Sequence, residues 1–153
     1  MADSRPASSN ADPDSKANIA DLERQVSLLL REPSLERLHQ ALAALPSSLA
    51  DTGPGKALRA EVLRRGGNAS QAALLFATAI AECPTLIAAY HAGALARVAC
   101  ADHRGARALW QALLERSPDD PIARYHIGLS WHDEKAFDQA ARWYKDQLTR
   151  HPR

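Results

Sequence analysis

Three segments decide the fold: AALLFATAIAECP at 72–84, ARALWQALLERSP at 106–118 and AARWYKDQLTRHP at 140–152. Laid over one another, they keep a small residue in first position (Ala72, Ala106, Ala140), an aromatic in the fifth (Phe76, Trp110, Tyr144) and a proline in the last (Pro84, Pro118, Pro152), each column advancing by 34 residues. Three columns in phase at one lag mark a helix-turn-helix unit. Such a unit cannot bury its apolar face alone, so copies stack into a solenoid.

The pattern resembles the tetratricopeptide repeat (TPR) family over residues 53–153, in three units at 53–86, 87–120 and 121–153. The resemblance implies an all-α, right-handed α-α superhelix whose first helices line a concave groove, with binding as its activity. It points Ala57, Glu61 and Arg64 of the first unit into that groove, then Ala88, His91, Leu95 and Val98 of the second, and Ile122, Tyr125, Leu129 and His132 of the third. The middle of the groove is then apolar and aromatic, with charge towards its N-terminal end. Some family members hold a terminal carboxylate with a clamp of Lys, Arg and Asn. That clamp has no counterpart here, which argues against the chaperone-tail adaptors.

Outward from the repeats, residues 17–46 carry two apolar stripes at helical spacing. Ile19, Leu22, Val26 and Leu29 form one, ended by Pro33; Leu35, Leu38, Leu42 and Leu45 form the other, opened by Ser34 as a cap and closed by Pro46. These predict an N-terminal helical pair. Residues 1–16, MADSRPASSNADPDSK, lack large apolar side chains after Met1 and predict a disordered tail. PSSLADTGPG at 46–55 reads as a loop. Its Gly55-Lys56 does not make a phosphate-binding loop: Ala50 and Ala57 stand where Gly and Ser/Thr are required. The helix at 72–81, AALLFATAIA, is apolar on every face, which predicts burial on every face with the N-terminal helices folded over it. At the other end the last helix is more polar, yet Trp143 and Leu148 offer a face for self-association.

The chain's 153 residues suffice for one domain. With 46% hydrophobic and 24% charged residues its composition is that of an ordinary globular protein, and a formal charge of +1 gives no electrostatic case for nucleic acid. Cys83 and Cys100 read as small, reduced, half-buried residues rather than a disulfide. No apolar run approaches the roughly 20 residues that span a bilayer, and no secretory leader is recognisable, so a cytoplasmic protein is expected.

Chemistry is sparse. His126 and His132 lie about 240° apart on one helix, and no Cys or paired carboxylate stands beside them or His91 at metal-ligand spacing. No nucleophile elbow, zinc-protease motif, dinucleotide loop or acid pair is present, so no cofactor and no catalysis are expected. The expected function is a protein-protein interaction module, an adaptor or small chaperone, that takes an apolar or amphipathic peptide through Glu61, Arg64, His91, Leu95, Val98, Tyr125, Leu129 and His132. The alternatives are a regulatory or substrate-presenting subunit of a larger enzyme, and a scaffold or homodimer built through the C-terminal face.

Overall fold

The computed structural model describes residues 13–152, and among these every regular element is a helix. An N-terminal group comprises α1 (Pro13–Leu29), α2 (Leu35–Ala44) and the single turn α3 (Ser47–Ala50). Three helix pairs follow: α4 (Gly53–Arg65) with α5 (Ala69–Glu82), α6 (Ile87–Ala99) with α7 (His103–Arg116), and α8 (Pro121–Asp133) with α9 (Phe137–Arg150). Each helix packs on the next from α4 to α9, which makes a helical solenoid with a helical pair at its head.

The sequence columns have physical causes. A proline disfavours the α conformation in the residue before it, and so ends the second helix of each unit. Cys83, Ser117 and His151 accordingly leave the helix at φ −134°, −135° and −127°. The carbonyls of these turns then tie units together: Pro84 O accepts from the Tyr90 hydroxyl at 3.0 Å and from Arg116 Nε at 3.1 Å, and Pro118 O accepts from Arg124 Nη2 at 2.6 Å. Ala72, Ala106 and Ala140 are buried because helices cross closely there, while Phe76 and Trp110 fill the space between units.

A fourth column shares the lag without sharing a residue type. Gly67, Ala101 and Lys135 all adopt left-handed backbone, at φ 90°, 60° and 61°. Each closes the first helix of its unit, with the following amide returning to a carbonyl five residues back: Asn68 N to Leu63 O, Asp102 N to Arg97 O and Ala136 N to Trp131 O, at 2.8–2.9 Å. Only the first has the glycine that signals such a turn.

Two apolar clusters form the interior. One joins Leu22, Val26 and Leu38 of the N-terminal pair to Leu58, Phe76 and Leu86; the other holds Tyr90, Trp110, Leu113 and Ile127. Ile80 packs against both and makes them continuous.

Several expectations need correction. The segment 46–55 is not a plain loop: α3 lies inside it and α4 starts at Gly53, where the Thr52 hydroxyl accepts from Gly55 N at 3.3 Å. The glycines serve close approach, since a Cβ on Gly55 would run into the carbonyl oxygens of Leu49 and Ala50. Of the expected tail, residues 13–16 form the first turn of α1 and the rest lie outside the described residues. The N-terminal helices do not cover α5; α1, α2 and α3 pack on α4, with α1 also reaching α6. The outer face of α5 is therefore open, and Leu74 is 73% exposed. Alanines give that face its apolar reading while adding little surface to bury. Finally, the two cysteines differ: Cys83 is buried, Cys100 is exposed, and both are free.

Candidate functional site: a concave pocket

The first helices α4, α6 and α8 line up along the inner side of the solenoid, and the end of α1 comes to rest against α4 and α6. Between these four elements lies a pocket of about 490 Å³. Its apolar wall is built by Leu30, Ile87, Ala88, Leu95, Leu113 and Ile122; its polar rim comprises Arg31, Arg64, His91 and Asp120, with Glu61 buried behind Arg64. Leu30 and Arg31 belong to the N-terminal pair, which thus forms one wall of the groove and leaves space beyond it. Asp120 has a prior duty, for its Oδ1 caps α8 by accepting from Ala123 N at 2.8 Å.

Glu61 differs from its expected role. It is fully buried, whereas a groove-facing contact residue would be exposed. Burying a lone carboxylate is expensive, so it is paired twice: Arg64 binds it in bidentate fashion at 2.8 Å through Nε and Nη2, and Arg65 Nε binds it at 2.5 Å. The hydrogen bonds to Glu61 raise the Arg64 guanidinium above its ordinary pKa. Arg65 then donates to Leu30 O at 3.2 Å and to Glu32 O, two carbonyls just past α1. The cluster therefore latches the N-terminal pair onto α4, and its signal in sequence is the Glu61, Arg64, Arg65 spacing of i, i+3, i+4.

His91 stands at the centre of an aromatic cluster. The indole of Trp110 donates from Nε1 to His91 Nδ1 at 3.0 Å, so that nitrogen is an unprotonated acceptor. His126 lies 5.0 Å from the His91 ring and stacks on Trp110 at 5.1 Å with planes 16° apart. Burial, followed by the neighbouring His126, pushes the His91 pKa down to about 4, and burial also lowers that of His126. A histidine with a depressed folded pKa favours folding while neutral. The contribution is present above the free value of 6.5 and is lost as pH falls towards about 4. Acidification through that window is expected to reduce stability by about 2 kcal/mol, discounted for the partial exposure of His91. Urea unfolding at several pH values checks this; His91→Gln should flatten the profile, and an equally steep profile in that variant would refute the assignment.

The remaining expected groove residues scatter. Leu95 and Ile122 line the pocket, while Ala57 is buried under the N-terminal helices. Val98 and Leu129 are half-buried outside the pocket wall. Tyr125 is exposed against His126 and Tyr144, and His132 is exposed beside Phe137 at 5.3 Å. Sequence reasoning passed over His126, having tested it only against His132 on the same helix. Its neighbours come from other repeats, and the 34-residue lag places position 125, one residue away, level with His91. Arg97, near the end of α6, pairs with Asp102 at 2.7 Å. Among the described residues no group of three His, Cys, Asp or Glu side chains is placed to hold a metal ion, and no helix is long and apolar enough to cross a membrane.

No family model matches the sequence, and no curated protein matches it. Solved structures do. A crystal structure of MamA protein superposes with a TM-score of 0.67 at 16% identity, covering 90% of this chain and 75% of that one. A second MamA crystal structure gives 0.65 at 17% identity, covering 92% and 95%. The fold is a TPR-like helical repeat. At that level of identity the likeness speaks to the α-α superhelical fold alone.

Proposed function

We propose that the chain is a cytoplasmic adaptor or small chaperone that receives an apolar or amphipathic segment of another protein in its concave pocket, and that it binds without catalysing a reaction. The observation that carries the reading is the pocket's division of labour, with aliphatic side chains on the wall and Arg31, Arg64 and His91 at the rim. An amphipathic helix supplies anchors at i, i+3 and i+4 for such a wall and keeps its polar face towards the rim. Leu95 and Ile122 are the anchor contacts because both line the pocket; Leu95 is half-buried against the second apolar cluster and Ile122 is 54% exposed.

A photo-reactive side chain at position 95 is expected to cross-link a partner segment, which is then synthesised and titrated. Leu95→Glu or Ile122→Glu should weaken that binding by at least roughly tenfold, the scale of losing one buried anchor. Thermal midpoints should stay near the wild-type value. Undiminished binding by both variants would place the partner elsewhere on the solenoid.

A further inference from the structure

The expected self-association face consists of Trp143 and Leu148, and the two side chains turn out to point apart. Trp143 packs back against the second apolar cluster, whereas Leu148 is 60% exposed. The repeat register shows which residues of α9 stand where a following repeat would pack, Tyr144 among them although one side of its ring also meets Tyr125 of α8 at 6.1 Å. In α7, His103, Arg107, Trp110 and Leu114 face the next helix: His103 Nδ1 meets Ser130 Oγ at 3.4 Å, Arg107 binds Ser130 and Glu134 and stacks 3.6 Å over Trp131, Trp110 stacks on His126, and Leu114 joins the same cluster. One repeat later these positions are Phe137, Ala141, Tyr144 and Leu148. They fall within about 60° of arc on α9, spaced 4, 3 and 4 residues apart. Phe137 is 57% exposed, and α8 is the helix that packs on α9.

We propose that this stripe is a homodimer interface in which α9 of one copy lies antiparallel to α9 of a second copy, about a two-fold axis between Ala141 and Tyr144. The occupant follows from self-complementarity. An antiparallel register brings Phe137 onto the second copy's Leu148 and seats the Tyr144 ring over the small Ala141, twice by symmetry. The flank of the stripe carries Asp138 and Lys145: they lie on the same side of it, seven residues apart, so the same register sets each against the opposite charge. Neither side chain has a hydrogen bond or ion pair with another described residue. Head-to-tail stacking is disfavoured, because α1, α2 and α3 already occupy the surface of α4 where an incoming α9 would dock. A patch of four side chains per copy is at the small end of specific interfaces, below about 1,200 Å² in total. The dimer therefore dissociates in the micromolar range.

Sedimentation velocity of the full chain over two decades of concentration, from low micromolar upwards, tests this. Wild type should shift from monomer to dimer, and Phe137→Glu combined with Leu148→Glu should stay monomeric with an unchanged helical circular dichroism signal. Asp138→Lys or Lys145→Asp alone should weaken the dimer on the order of tenfold, since two like-charge contacts replace two attractive ones. The double reversal Asp138→Lys/Lys145→Asp should restore it. A wild type that remains monomeric at every concentration overturns the proposal, as does a dimer that survives the two glutamates. A double reversal no stronger than the single ones overturns the antiparallel register.

Discussion

Trp110→Ala should destabilise the fold by about 3–5 kcal/mol, the range for removing a large buried aromatic. The indole is 1% exposed, sits at the junction of the second and third repeats, donates to His91 and stacks on His126. Truncation leaves a cavity in the apolar cluster that continues through Ile127 and Leu113, and removes the donor that holds His91 in one tautomer. Trp110→Phe separates the contributions. It keeps most of the ring and loses the hydrogen bond, so about 1–2 kcal/mol should go, while the His91 pKa should stay well below 6.5 because its burial and the neighbouring His126 remain. Guanidinium unfolding gives the free energies, and proton resonance of the imidazole gives the titration. A loss below about 1 kcal/mol for the alanine variant would mean the repeats are held together elsewhere.

Glu61→Ala should rival it, at about 3–5 kcal/mol, because truncating one partner of a buried ion pair strands the others. Here two guanidiniums, Arg64 and Arg65, lose a carboxylate that is fully buried. The damage should spread to the N-terminal pair, since Arg65 also donates to the carbonyls of Leu30 and Glu32. Hydrogen exchange distinguishes this from general weakening: protection should fall in α1 and α2 while α7 and α8 keep theirs. Glu61→Gln retains volume and one acceptor, and should lie between wild type and Glu61→Ala. Uniform loss of protection along the chain would contradict a latch.

What could be read from the sequence was what the repeat makes periodic in residue type. The Ala72 and Phe76 columns are forced by stacking and the Pro84 column by the need to end a helix, so they recur and suggest units at 53–86, 87–120 and 121–153; the first helices begin at Gly53, Ile87 and Pro121. Features set by backbone or by cross-repeat neighbours were less visible. The left-handed turn recurs at Ala101 and Lys135, residues that do not advertise it. AALLFATAIA looked buried on all sides because five alanines count as apolar while offering little area, and the helices meant to cover it found a better surface on α4, where Leu58 and Ala60 sit beside Ala57. The pocket's apolar members Leu95 and Ile122 came from the register alone. Glu61 misled because a charged residue on a groove-lining helix looks like a ligand contact until Arg64 and Arg65 are seen to enclose it.

The attachment of α1, α2 and α3 to α4 also orders events during synthesis. Val26 and Leu38 leave the ribosome before α4, the helix that receives them, and they acquire that surface only when Leu58 and Arg65 follow. From that point each helix emerges onto a finished neighbour, α5 onto α4 and so on to α9, so the chain can grow by accretion without waiting for distant segments. The interval of risk is therefore the stretch of synthesis between α1 and the completion of α4, when two amphipathic helices stand without their platform.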